Sequence, residues 1–199
     1  MTWAPPAGTT GLIFDCDGTL ADTMPIHFRS WSATLARHRL RFPETRFFAF
    51  AGMPSHRILA RLAIEQGLSL EAAEIAAMVA EKERRYLELL HGVGPIEIVL
   101  KIARRFRGVL PMAVASGGEG PVVRQTLDVI GALEWFQTVV GAEDTERHKP
   151  EPDVFLEAAR RLGVPAQGCV VFEDSDFGME AAARAGMIGV DIRIWLTAP

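Results

Sequence analysis

Two aspartates stand one residue apart in the sequence GLIFDCDGTL, directly after an apolar run. Asp15 and Asp17 follow residues 12–14, so a buried type of strand delivers two negative charges to one spot. Like charges held close together repel and raise each other's pKa. A protein tolerates such crowding where a cation lies between the charges or where the crowding serves a reaction. The pair is therefore the first candidate for a reactive site.

Three later strand-like runs also end in residues that can do chemistry. In chain order these residues are Ser116, Lys149, Glu173 and Asp174. Taken alone, each has an ordinary explanation as a turn serine, a surface lysine or a polar turn. Because the carboxyl ends of parallel strands meet at one edge of a sheet, four such endings in succession predict a single site there.

The elements that must position these residues alternate along the chain. The strand-like runs cover residues 12–14, 112–115, 139–140, 170–172 and 188–192. Helical patterns lie between the later runs. One begins at Pro121 and ends at Gly131, one begins with Asp153 as its cap and ends at Gly163, and one ends at Gly186. Such alternation predicts a doubly wound α/β fold with a parallel sheet.

One interval is much longer than a crossover between parallel strands requires. Nearly a hundred residues separate the first two strands, whereas a crossover needs about a dozen, and residues 96–107 already supply a crossover helix. The surplus has a helical composition. We therefore expect a core domain of residues 1–22 and 93–199, and a helical cap domain of residues 23–92 that covers the carboxyl ends of the strands.

Charge and composition exclude several classes of protein. The net charge of −4 and the pI near 5.8 argue against binding to nucleic acid. No apolar stretch is long enough to span a membrane, and the amino terminus lacks the pattern of a signal peptide. Cys16 and Cys169 fit small core residues in a reducing compartment. These features predict a cytoplasmic protein with a small-molecule partner, and a monomer by default.

Four motifs, in order, resemble those of the haloacid dehalogenase superfamily. They are DCDGTLADT, VASGG, HKPEPDVF and VFEDSDFGMEAAARAGM. The resemblance extends over nearly the whole chain and is strongest to members with a small helical cap after the first strand. Among these, the sequence is most similar to sugar-phosphate phosphatases of the fructose-1-phosphatase kind, and next to β-phosphoglucomutases.

The resemblance implies a covalent mechanism. Asp15 occupies the position of the family's nucleophile, which forms an aspartyl-phosphate and so divides one difficult step into two. Asp17 is the acid/base candidate, because two residues along an extended chain it faces the same side, roughly 6–7 Å away in Cα spacing. We expect crowding by neighbouring carboxylates to raise the pKa of Asp17, which would help it to donate a proton.

The resemblance also implies a magnesium ion, which prefers oxygen ligands and keeps several waters. The implied ligands are Asp15, Asp174 and the backbone carbonyl of Asp17, with Glu173 acting through water. The groups implied to hold the phosphate are Ser116, the amide of Gly117 and Lys149. Gly18 is counted with the substrate-binding residues, because a glycine there lets the backbone approach closely.

The cap is harder to read from the sequence. His27 and Trp31 share one face of the first cap helix, so His27 is a candidate substrate ligand and Trp31 could pack beside a sugar. An ordinary hinge at Asp22 and Thr23 with a packing aromatic remains an alternative. We expect Lys82 to be solvated, although it could reach a second anionic group.

The sequence therefore predicts a magnesium-dependent phosphatase that acts on a small phosphorylated sugar. A phosphomutase is the alternative, but mutases of the family carry an arginine where this chain has Ser55, and only Arg57 or Lys82 could compensate. A non-enzymatic phospho-acceptor switch is a third hypothesis. It is disfavoured because such a domain needs no cap, and because the aspartate on which it is phosphorylated follows a later strand.

Overall fold

A five-stranded parallel sheet forms the centre of the molecule in the computed structural model, which describes residues 3–196. The strand order is β3-β2-β1-β4-β5. The strands are β1 (Gly11–Phe14), β2 (Met112–Ala115), β3 (Thr138–Val140), β4 (Cys169–Glu173) and β5 (Ile188–Asp191). All pairs are parallel. The predicted doubly wound α/β fold is confirmed, and each predicted strand is present to within two residues.

Four helices are inserted between β1 and β2, as expected. They are α1 (Met24–Leu35), α2 (Glu44–Ala49), α3 (Ser55–Glu65) and α4 (Ala72–Leu89). Their apolar faces share a hydrophobic cluster of their own, which includes Trp31, Leu59 and Met78. We call this helical insertion the cap. Its assignment as a separate domain of residues 23–92 remains a prediction, and residues 1–2 and 197–199 of the predicted core domain lie outside the described residues.

The remaining helices cover both faces of the sheet. They are α5 (Glu97–Phe106), α6 (Gly120–Val129), α7 (Asp153–Leu162), α8 (Asp176–Arg184) and the short α9 (Arg193–Leu196). Alternate residues of β1 point to opposite faces: Leu12 and Phe14 belong to one buried cluster, and Ile13 belongs to the other. Both faces of the three central strands β1, β2 and β4 are buried, so these strands read as nearly continuous apolar runs.

One predicted helix end differs in detail. Asp153 is the first residue of α7 rather than its cap, and Pro152 precedes it with no side-chain cap. The Asp153 carboxylate instead accepts a hydrogen bond from Arg147 Nε at 3.0 Å. Gly163 ends the helix as predicted, in the left-handed conformation. Within residues 3–196, none of the helices has the length and apolar character needed to cross a membrane.

The strand register explains where functional groups must meet. Phe14 lies beside Val114 of β2 and Phe172 of β4, so the three central strands end at nearly the same level. Residues that immediately follow these strands are therefore delivered to one edge of the sheet. The cap leaves the core at this same edge.

Candidate active site

The central strand ends bring three carboxylates together. Oxygens of Asp15, Glu173 and Asp174 all lie within 4.8 Å of one another. Asp15 is 4% exposed and Glu173 is fully buried. Their chain positions differ by more than 150 residues, and only the sheet register joins them. The structure thus assembles the acidic residues that the sequence pattern placed at one edge.

Lys149 lies beneath these carboxylates. Its Nζ donates hydrogen bonds to Asp15 Oδ1 and Glu173 Oε1, both at 2.6 Å, and to the carbonyl of Ala115 at 3.3 Å. Burial alone would lower the pKa of Lys149, but the two carboxylates outweigh it and raise that pKa. Lys149 is therefore a fixed positive charge in a buried site.

One ammonium does not balance three carboxylates. Burial, opposed by Lys149 and reinforced by Glu173 and Asp174, raises the pKa of Asp15 well above its ordinary value. Burial and the neighbouring Glu173 raise the pKa of Asp174 to about 8. Full ionisation would leave two negative charges uncompensated. An all-oxygen donor set with this surplus fits a hard divalent cation such as Mg²⁺.

Glu173 is already fully engaged by the protein. Oε1 accepts from Lys149, and Oε2 accepts from the amides of Asp174 and Ser175 and from Ser175 Oγ at 2.7–3.0 Å. A Cβ added to Gly178 would fall 1.8 Å from the same carboxylate. These contacts favour an indirect role for Glu173 near a metal. The importance of Gly178 was not recognised in the motif VFEDSDFGMEAAARAGM.

Gly18 serves the acidic cluster rather than the cleft above it. Its φ is +81°, and an added Cβ would fall 2.2 Å from Asp174 Oδ2. The next residue, Thr19, donates a hydrogen bond to Asp174 Oδ1 at 3.1 Å. A side chain at Gly18 would displace Asp174, so this glycine positions a carboxylate. Thr19 was missed, although it lies in the motif DCDGTLADT.

Asp17 is not part of the cluster of three carboxylates and makes its side-chain contacts with the cap. Its Oδ1 is 3.0 Å from His27 Nε2 and accepts a hydrogen bond from Thr23 Oγ1 at 2.7 Å. Burial raises the pKa of Asp17, but His27, the Thr23 hydroxyl and Lys82 outweigh burial and lower it to about 2. The expectation of a raised pKa is therefore wrong, because cap residues rather than carboxylates dominate its surroundings.

Lys82 is buried, which contradicts the expectation of a solvated side chain. It is 2% exposed, and its Nζ is 2.9 Å from His27 Nδ1 and 2.9 Å from Glu83 Oε1. The ammonium also lies over the rings of Trp31 and Tyr86. Helix packing between α1 and α4 turns Lys82 inward. A continuous chain of polar contacts therefore runs from Asp17 through His27 to Lys82.

The loop after β2 contributes a second face to the site. Ser116 is 2% exposed, and its Oγ accepts a hydrogen bond from the amide of Gly118 at 3.0 Å. A Cβ on Gly117 would fall 2.4 Å from the carbonyl oxygen of Gly52 in the cap. The core and the cap thus approach each other closely at this glycine pair.

A cleft between the cap and the sheet edge connects these groups. Its volume is about 730 Å³ including its opening to solvent. From the core it is lined by Asp15, Asp17, Ser116, Gly117, Gly118, Glu119, Val122, Val123, Thr126, Asp174 and Ser175, and from the cap by Met24, His27, Trp31, Phe47, Phe50, Ala51, Gly52, Met53, Ser55, Ile58, Lys82 and Glu83. The shared face of His27 and Trp31 therefore looks toward the site, whereas Asp22 is exposed outside the cleft.

The position where a mutase would carry arginine faces a carboxylate instead. Ser55 Oγ donates a hydrogen bond to Glu83 Oε1 at 2.8 Å. Arg57 is exposed and is not among the residues of the cleft. Lys82 does line the cleft, but its ammonium already contacts His27 and Glu83. Neither residue replaces the missing arginine as a free cation.

Comparison with known proteins agrees with this geometry. A model of the family described as haloacid dehalogenase-like hydrolase matches residues 9–186. The chain is 38% identical over 184 residues to fructose-1-phosphate phosphatase YqaB of Escherichia coli, with 92% of this chain and 96% of that protein covered. It is 31% identical over 178 residues to hexitol phosphatase A of Escherichia coli, with 88% and 79% covered.

Solved structures share the arrangement of core and cap. A hydrolase from Pseudomonas syringae superposes with a TM-score of 0.84 at 25% identity, covering 92% of this chain and 84% of that chain. A β-phosphoglucomutase from Clostridium difficile superposes with a TM-score of 0.83 at 21% identity, with the same coverage. At that identity the second likeness shows the fold alone.

Proposed function

Because this chain belongs to the haloacid dehalogenase-like hydrolases and is a phosphoric monoester hydrolase, we propose that it releases phosphate from a small phosphorylated sugar with the help of Mg²⁺. One observation carries the proposal: Asp15 lies in a buried cluster with Glu173 and Asp174, held by Lys149, at the floor of a cleft roofed by the cap.

Asp15 is the proposed nucleophile. A carboxylate oxygen attacks phosphorus, the bond to the sugar oxygen breaks, and an aspartyl-phosphate forms on Asp15. Lys149 Nζ, 2.6 Å from Asp15 Oδ1, fixes the carboxylate and offsets negative charge as the phosphoryl group arrives. The Ser116 hydroxyl and the Gly117 amide, which face the same cleft, are the proposed ligands of the phosphoryl oxygens.

Asp17 is proposed to move the proton, and His27 to hold its carboxyl group in place. Lys82 Nζ donates to His27 Nδ1, so Nε2 is the ring nitrogen that donates to Asp17 Oδ1, at 3.0 Å. The Asp17 carboxyl takes up a proton and passes it to the sugar oxygen as that oxygen leaves, and it then accepts a proton from the water that hydrolyses the aspartyl-phosphate. Thr23 orients Asp17 for both steps.

Asp15, Asp174 and the backbone carbonyl of Asp17 are the proposed ligands of Mg²⁺, with Glu173 acting through water. When bound, the ion would neutralise phosphoryl oxygens and permit the carboxylates to ionise together. Gly18 and Thr19 position Asp174 for this role. The surplus negative charge of the cluster supports this assignment.

Two observations support a sugar phosphate as substrate. The relatives that the chain resembles include proteins named fructose-1-phosphate phosphatase and hexitol phosphatase A. The cap side of the cleft also combines an apolar wall, including Phe47 and Phe50, with the polar Ser55 and Glu83. Such a surface suits the carbon skeleton and hydroxyls of a sugar. Cytoplasmic location and a monomeric state remain predictions, and the two free, buried cysteines support the first.

A phosphate-release screen tests the proposal. Hexose, pentose and polyol monophosphates are offered with Mg²⁺ and with EDTA, while coupled assays follow isomer products. We expect magnesium-dependent phosphate release from at least one sugar monophosphate, well in excess of isomerisation. Isomer formation that outpaces phosphate release would establish a phosphomutase instead. Turnover of an aryl phosphate only, with no sugar phosphate hydrolysed, would overturn the sugar-phosphate assignment.

A further inference from the structure

The cap presents one carboxylate to the cleft. Within the described chain, Glu83 of α4 is the one acidic residue among the cap residues that line the cleft. It is mostly buried, with 16% of the side chain exposed. Its Oε1 accepts hydrogen bonds from Ser55 Oγ and Lys82 Nζ. Among residues 3–196, no group donates a hydrogen bond to the other oxygen, Oε2. One oxygen of a mostly buried carboxylate on the wall of the cleft therefore remains available to a substrate.

The positive groups of the cleft are already engaged. Within the described part of the chain, the basic side chains that line it are His27 and Lys82. His27 contacts Asp17 through Nε2 and Lys82 through Nδ1, and Lys82 also contacts Glu83. A second phosphate on the substrate would therefore enter this part of the cleft without a free cation to receive it.

A second glutamate lies across the opening from the cap. Glu119 precedes α6 on the core side and is exposed. Glu83 and Glu119 line the main cleft together, and they also line an adjoining pocket with Ser55, His56 and Gly118. Glu83 and Glu119 thus bring negative charge to the side of the cleft that adjoins this pocket, whereas Asp15 and Ser116 line the cleft but not the adjoining pocket.

We infer that Glu83, supported by Glu119, selects phosphate monoesters whose far end is an uncharged polyol and rejects those with a second phosphate. The inference rests on the proposed function and specifies its substrate class. Oε2 of Glu83 accepts hydrogen bonds from substrate hydroxyls. A second phosphate offers no donor to this oxygen and is repelled by both glutamates, so the same side chain provides attraction and exclusion.

Two substrates that share one ester provide the test. Fructose 1-phosphate and fructose 1,6-bisphosphate share the phosphate on C1 and differ by the second phosphate on C6. For each substrate, kcat/KM is measured for release of the phosphate on C1. We expect the wild-type protein to favour the monophosphate. In Glu83→Gln, which keeps the shape but removes the charge, the ratio of bisphosphate to monophosphate kcat/KM should rise about tenfold. The gain should appear mainly in KM, because the far end does not react.

A matched control lies two residues away on the same helix, on a different face. Glu81 pairs with Arg85 and lies outside the cleft, so Glu81→Gln should leave the ratio within about twofold of wild type. Glu83→Gln also removes a partner of Lys82, which could slow both substrates. A loss of kcat/KM that is common to both substrates cancels in the ratio. The ratio therefore reports only the discrimination between the monophosphate and the bisphosphate. Adding Glu119→Gln should raise the ratio further.

A reporter substrate separates this inference from the proposed function. Each fructose phosphate is added as an inhibitor of p-nitrophenyl phosphate hydrolysis, and the ratio of the two inhibition constants is measured. If no sugar phosphate of the screen is hydrolysed, the proposed function fails, yet the ratio of inhibition constants still tests Glu83. An unchanged ratio in Glu83→Gln, by both turnover and inhibition, would overturn the inference. A shift toward the bisphosphate in that variant would support it.

Discussion

The core half and the cap half of the site are built in different ways. In the core, groups from three strand ends and one loop hold one another through buried ion pairs at 2.6 Å, with Lys149 between Asp15 and Glu173. In the cap, His27, Lys82 and Glu83 come from the two helices α1 and α4. Backbone register determines the first arrangement, and helix packing determines the second.

The two halves also differ in charge. The core cluster has three carboxylates and one ammonium, a surplus that a divalent cation would offset. On the cap side, Lys82 is paired with Glu83 and His27, so neither basic residue of the described cleft is left to bind a second phosphate. The core is therefore suited to bind a metal and a phosphoryl group, and the cap to contact an uncharged remainder. We conclude that the chemistry depends on the core and that selection depends on the cap.

The comparison predicts its largest effect at the nucleophile. Asp15→Asn removes the attacking carboxylate and should lower kcat for phosphate release by about 10⁴-fold or more. The control is Asp22→Asn, because Asp22 is exposed and outside the cleft. It should stay close to wild type. Far-UV circular dichroism should show both variants folded. Turnover by Asp15→Asn near the wild-type rate would refute the assignment of the nucleophile.

A smaller effect, on both stability and activity, is expected at Lys149, whose ammonium lies in the core cluster. Lys149→Met leaves Asp15 and Glu173 buried without their partner, so the free energy of unfolding should fall by about 3–5 kcal/mol. Phosphate release should fall by about 10²–10³-fold, because charge stabilisation is lost. Denaturant unfolding and steady-state kinetics measure the two effects. Lys101→Met, at an exposed position of α5, is the control. An active, fully stable Lys149→Met protein would show that the core half does not depend on this charge.

The smallest of the three effects is expected in the cap. Lys82→Met breaks the contacts to His27 and Glu83 but leaves the core cluster intact. We expect kcat/KM to fall by about 10–100-fold, because Asp17 and the cap lose their shared partner. Arg84→Met, an exposed position on the same helix, should have little effect. A loss as large as that of Asp15→Asn would contradict the division of labour between the two halves.

The core half was the more predictable from sequence. Four of the five strand-like runs were followed by a residue of the right type, and parallel pairing requires such residues to meet. Asp15, Lys149, Glu173 and Asp174 were therefore placed in one site without a structure. The likeness to a family added roles, but the meeting of these residues follows from strand order alone.

The cap half was predictable only in outline. The helical insertion and the shared face of His27 and Trp31 were expected, but Lys82 was expected to be solvated and is buried. The pKa of Asp17 was expected to rise and is instead lowered to about 2. Both errors have one cause, since the partners of Asp17 and Lys82 lie on different helices of the cap. Glu83 was missed for the same reason.

The sequence by itself determined the parallel sheet, the helical insertion after β1 and the identity of the acidic cluster. These depend on local periodicity and on the rule that parallel strands end together. The tertiary structure alone decided how α1 and α4 pack, and hence which cap side chains enter the cleft. The rotation of one helix against another depends on many weak contacts between distant residues, which no single stretch of sequence displays.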